Sequence, residues 1–121
     1  MPYTVDWYIE NEIIYSRYYG VATPDELREC LMTMRDFMDR SPRPLVHAIS
    51  DVGDVVEATS LKESLPIVRE VGQHPRGGWM LSIRESSMLI KMGSALGASL
   101  FKLRYRSFGT LDEAVALLKE M

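Results

Sequence analysis

The chain has a single cysteine, Cys30, among 121 residues, so no internal disulfide framework can form and a reducing compartment suits it. Histidine is nearly as scarce. His47 and His74 have no cysteine near them and fall short of the three or four closely spaced ligands of a zinc site, so neither metal nor cofactor is expected. Positive charge is not in surplus: 14 Lys and Arg against 17 Asp and Glu leave a formal charge of −3, which argues against a nucleic-acid partner. No run approaches the roughly 18 apolar residues of a membrane span. Met1-Pro2-Tyr3 leads directly into a strand carrying Asp6 and Glu10 rather than into a signal peptide, and a cytoplasmic protein is expected. Repeats, low-complexity tracts and linkers are absent, as are a nucleophile–base pair and a phosphate loop, so no enzyme activity is expected.

What is present is ordinary globular material, 46% apolar and 26% charged. Residues 1–121 read as one domain, long enough to bury about two-thirds of its unfolded surface. Tyr3 to Ile9 alternates, with Val5, Trp7 and Ile9 on one face. Ile13 to Tyr19 is rich in β-branched and aromatic residues, and Glu10-Asn11-Glu12 between the two reads as a hairpin turn. Thr23, Pro24 and Glu26 form a capping box in which Glu26 reaches back to the Thr23 amide. Leu27, Cys30, Leu31, Met34, Phe37 and Met38 follow at helical spacing, predicting a helix over 24–40 that ends at Ser41-Pro42-Arg43-Pro44.

Leu45 to Asp51 reads as a buried central strand, Val52 to Thr59 as a loop, and about Ser60 to Gly72 as a helix interrupted by Pro66. Trp79 to Ile83 is the next strand. A helix over about Ser87 to Leu100 and a strand over Leu103 to Phe108 follow. Thr110 with Glu113 caps the final helix, whose core face is Leu111, Ala114, Val115 and Leu118. Strands separated by helices of this length predict an α/β fold. It is a single mixed sheet of about five strands in the order β-β-α-β-α-β-α-β-α, mostly parallel with an antiparallel first strand.

This order resembles the STAS-like family, the SpoIIAA-like domains of bacterial anti-sigma-factor antagonists, and more closely their small stand-alone relatives. The resemblance covers nearly the whole chain. It rests on the two-strand start, on Tyr19-Gly20 with Thr23-Pro24-Asp25-Glu26-Leu27, on Val46-His47-Ala48-Ile49-Ser50-Asp51, and on Arg106-Ser107-Phe108-Gly109-Thr110-Leu111-Asp112-Glu113-Ala114. It implies a bacterial regulatory domain. Antagonists that act as phospho-switches carry Asp-Ser-Ser/Thr-Gly after the third strand, where the free amides of a helix amino end suit added phosphate charge. Here Asp51 matches the aspartate by position, but Val52 stands where the acceptor serine belongs. Ser60 and Ser64 are the nearby hydroxyls, and Ser60 also reads as a simple N-cap with Glu63 as its partner.

Several other residues have chemistry to weigh. Cys30 falls on the apolar stripe of its helix and reads as core. His47, inside a central strand, reads as a hydrogen-bonded or partly exposed residue rather than a base. Asp51, Asp54 and Glu57 crowd the loop at the end of the third strand, where open α/β sheets bind ligands, and equally read as a solvated acidic loop. Lys102, Arg104 and Arg106 alternate along the last strand as an anion patch or as charges guarding a sheet edge. His74-Pro75-Arg76-Gly77-Gly78 suggests a phosphate-binding turn but lacks the lysine and following helix of one.

The segment 87–100 is apolar around much of its circumference, with Gly93 and Gly97 leaving little bulk, so it must be buried on more than one side. The reading is a non-enzymatic regulatory or protein-interaction domain of STAS-like type, lacking the phospho-switch serine. It is expected to form a homodimer, or to meet another protein, through Met88, Met92 and Leu96. The alternative is a carrier of a lipid or small apolar ligand. Any small-molecule site is expected at the carboxyl ends of the central strands, around Ser50, Asp51, Ser60 and Ser86, an end that equally reads as solvated loop.

Overall fold

A computed structural model describes residues 3–21, 23–57, 60–72, 74–85 and 104–120. The strands are β1 (Tyr3–Ile9), β2 (Ile13–Val21), β3 (Val46–Glu57), β4 (Gly77–Ile83) and β5 (Tyr105–Phe108). The helices are α1 (Pro24–Arg40), α2 (Leu61–Val71) and α3 (Leu111–Lys119). The helix expected over Ser87 to Leu100, and with it Ser86, Met88, Met92, Leu96 and Lys102, lies outside the described residues. The five strands lie side by side in chain order, β1 antiparallel to β2 and every other pair parallel. The fold is α/β with a mixed sheet.

Side-chain alternation divides the core between the two faces of the sheet. Ile14, Val46 and Ala48 face α1 and α2, where they meet Cys30, Leu31, Met34, Met38 and Ile67. Trp7 stacks on Phe37 with ring centroids 5.1 Å apart. Ile13, Ile49, Leu81 and Ile83 face the other way and are covered by Ala114, Val115 and Leu118 of α3. Burial on both faces explains why β3 and β4 carry apolar residues at successive positions rather than a clean alternation.

Each described helix begins on a hydroxyl with a glutamate three residues on: Thr23 with Glu26, Ser60 with Glu63, Thr110 with Glu113. The hydroxyl accepts from the glutamate amide at 3.3 Å in all three. The carboxylate accepts from that same hydroxyl, at 2.6, 3.0 and 3.2 Å respectively. This differs from the reciprocal box expected at Thr23, in which Glu26 takes the Thr23 amide. A hydroxyl has both a proton and lone pairs, so one side chain closes the ring alone.

Two further expectations are corrected. Val52 to Glu57 is not a loop: β3 continues through it, because β2 also runs on to Val21 and offers a partner strand as far as Val21 opposite Glu57. The last strand opens at Tyr105, so Arg104 precedes it. Among the described residues, no helix is long and apolar enough to cross a membrane.

Candidate functional site

Beyond the level of Asp51 and Ile83, the last matched pair of β3 and β4, β3 pairs only with β2 among the described residues. At this step β2 advances two residues, Arg17 to Tyr19, while β3 advances three, Asp51 to Asp54. In a regular strand an odd separation would put the two aspartates on opposite faces. The bulge turns both toward the α3 side.

There they meet the end of β4. Asp51, 5% exposed, accepts from Tyr15 Oη at 2.9 Å, Arg84 Nε at 2.9 Å and the Gly53 amide at 3.0 Å. Asp54 accepts from Arg84 Nη2 at 3.1 Å and also pairs with Arg17. Arg84 sits in the left-handed region at φ 57°, which stops β4 and swings its side chain back over the bulge. Gly53 leaves the room: a Cβ there would fall 2.6 Å from Arg84 Cζ.

The charges follow this geometry. Burial alone would raise the Asp51 pKa, but the bonds from Arg84, Gly53 and Tyr15 outweigh it and hold the carboxyl below its ordinary range. Arg17 and then Arg84 do the same for Asp54. Burial, followed by the hydrogen bond to Asp51 and then its charge, raises the Tyr15 pKa. Asp51 spends both oxygens inside the chain, so this cluster is a clamp between β2, β3 and β4.

Ser50, next to Asp51, points to the opposite face. It lies in a row that crosses four strands in register, Ser16, Ser50, Ser82 and Ser107. Ser16 is fully buried and its Oγ lies 2.9 Å from Ser50 Oγ. Ser60 is the N-cap of α2. The fold therefore puts Asp51 and Ser50 back to back, with Ser60 engaged at its helix start. The sequence reading missed Tyr15 and Arg84 as partners of Asp51, and Arg17 as a partner of Asp54; the one local signal was Gly53, whose missing side chain marks a close approach.

His47, His74 and Arg76 are also engaged. His47 Nδ1 accepts from the Trp79 amide at 2.9 Å, and burial lowers its pKa. His74 Nδ1 accepts from the Arg76 amide at 3.0 Å, which leaves Nε2 as the donor to Asp39 at 2.7 Å. Arg76 Nη1 donates to the carbonyls of Met38, at 3.2 Å, and Ser41. The turn weighed above as a phosphate site thus closes the carboxyl end of α1, whose last carbonyls lack helical partners. Cys30 is fully buried, and burial pushes its thiol up to about 11. Among the described residues, no group of three His, Cys, Asp or Glu side chains is placed to hold a metal ion.

No protein-family model and no curated protein sequence matches the chain. Among solved structures it is similar to an uncharacterized protein of the DUF3478 family with a SpoIIAA-like fold, from Shewanella loihica PV-4. The TM-score is 0.67 at 12% identity, over 96% of this chain and 91% of that one. At that identity the likeness concerns the backbone. The chain has a SpoIIAA-like, STAS-like fold.

Proposed function

We propose that the protein is a regulatory or protein-interaction domain of STAS-like type that works by contact, without catalysis, as a homodimer in the bacterial cytoplasm. The observation that carries this reading is the division of labour at the carboxyl end of β2 and β3. Asp51 and Asp54 are consumed by internal bonds, while Tyr19, Val21 and Val56 are 37%, 50% and 83% exposed. Apolar side chains presented on paired strands suit a protein partner more than a polar substrate. Val52, which has no hydroxyl, supports regulation without a phosphoserine at that position, and the net charge of −3 speaks against nucleic acid.

Light scattering on the purified chain at micromolar concentration tests the assembly, with a dimer mass expected. A stable interface should bury on the order of 1,000 Å² or more in total, and Val56→Lys should weaken the dimer if this end of the sheet takes part. A monomer throughout overturns the homodimer. A ligand mass retained in native mass spectrometry would favour a carrier of an apolar molecule instead.

A further inference from the structure

The two outer strands of the sheet are built differently. β5 is four residues long, follows the exposed Arg104 and exposes Arg106, whose guanidinium lies 5.3 Å from the centre of the Phe108 ring. A short, charged edge resists further pairing. β1 is seven residues long, with no proline, lysine or arginine and one charge, Asp6. Among the described residues it pairs with β2 alone, so its outer row of amides and carbonyls is open to another strand. Tyr3, Val5 and Trp7 lie on the face under α1. Thr4, Asp6 and Tyr8 are exposed on the other face. Asp6 forms no ion pair with another described residue.

We propose that a second copy of this chain adds to this edge, with β1 antiparallel to the partner's β1 around a two-fold axis through Val5, so that the two sheets become one. A two-fold axis normal to the sheet keeps every side chain on its own face. Paired residues then differ by an even number, and one residue must face its own copy. An axis through Asp6 would set like charges directly opposite each other, which is destabilising. An axis through Trp7 runs into the bulge between Trp7 and Ile9. The axis through Val5 sets Tyr3 against the partner's Trp7 on the α1 face, an aromatic pair. On the other face it sets Thr4 against the partner's Asp6, a hydroxyl donor against a carboxylate. Thr4 is also in register with Arg17 on β2, whose side chain is 49% exposed. Each Asp6 therefore lies diagonal to its own Arg17 and in line with the partner's Arg17, two strand spacings or about 10 Å away. The edge complements its own two-fold image in charge and in aromatic pairing, which selects a second copy over an unrelated strand. This inference rests on the homodimer reading and adds where the copies meet; Val56 lies outside the contact.

Sedimentation equilibrium of the full chain at low ionic strength tests it, comparing wild type with Thr4→Glu, Thr4→Lys and Val56→Lys. Thr4 and Val56 are exposed, so the variants keep the fold. Thr4→Glu sets a carboxylate against the partner's Asp6 at both symmetric positions, and should raise the dimer dissociation constant about threefold or more. Thr4→Lys sets the opposite charge there and should leave the constant equal or lower. Val56→Lys should leave it equal. A wild-type monomer throughout the micromolar range overturns this proposal and the homodimer together. A wild-type dimer that Thr4→Glu leaves unchanged, that both Thr4 variants weaken equally, or that Val56→Lys dissociates overturns β1 pairing and leaves the homodimer standing.

Discussion

Arg84 donates from Nε to Oδ1 of Asp51 at 2.9 Å from a left-handed backbone, φ 57°. For a residue with a Cβ that conformation costs about 1 kcal/mol or more. A hydrogen bond to a charged group contributes about 1.5–3 kcal/mol, less where the guanidinium is partly exposed. Arg84 makes one such bond to Asp51 and another to Asp54, so the pairing outweighs the backbone cost and the turn persists.

Replacing Arg84 separates these two contributions. Arg84→Ala should lower stability by about 2 kcal/mol, since it loses the pairing and keeps the strained φ. Arg84→Gly loses the same pairing but relieves the backbone, so its loss should be smaller. Urea unfolding of the two variants checks the order.

Gly53 and Arg84 should be coupled. A Cβ at Gly53 would lie 2.6 Å from Arg84 Cζ and 2.8 Å from Arg84 Cβ, too close for either to stay. Gly53→Ala should cost about 1–3 kcal/mol in the wild type and much less in an Arg84→Gly background, where both atoms are gone. A double-mutant cycle measures the difference.

Acid should weaken the fold through Asp51. Its folded pKa lies below its ordinary value, so its contribution is complete above the unfolded pKa of about 3.9 and is lost as pH falls through the folded value. Asp54 titrates in the same direction but counts for less, because its side chain is 38% exposed. Stability followed from neutral pH into acid should drop in this window, and Asp51→Asn should flatten the drop.

His47 should act at milder pH. Its neutral Nδ1 accepts the Trp79 amide, and burial holds its pKa below the ordinary value. The folded state therefore binds its proton less readily than the unfolded one, and stability should decline as pH falls below about 6.5 toward the folded pKa. NMR titration of the His47 ring locates that pKa directly.

Cys30 should be inert. It has no exposed surface, and its thiol is pushed up to about 11, so little thiolate forms near neutral pH. A thiol reagent should label it only as fast as the protein opens, and immediately in denaturant.

The sequence by itself determined the order of the described elements and where the three described helices start. Thr23, Ser60 and Thr110 each meet a glutamate one helical turn away, and that chemistry acts within four residues whatever the rest of the chain does. The strand alternation in Tyr3–Ile9 and the apolar stripe from Leu27 to Met38 are local in the same sense. Only the tertiary structure decided how far β3 runs. Gly53 and Asp54 are poor strand formers, and Val52 to Glu57 is a strand because β2 lies beside it. The bulge that turns Asp51 and Asp54 to one face exists only between two paired strands. Arg84 is 33 residues from Asp51, and Arg76 is 38 from the Met38 carbonyl it closes. Such contacts depend on which strands become neighbours, and that is set by burial of both sheet faces at once, which no local spacing records.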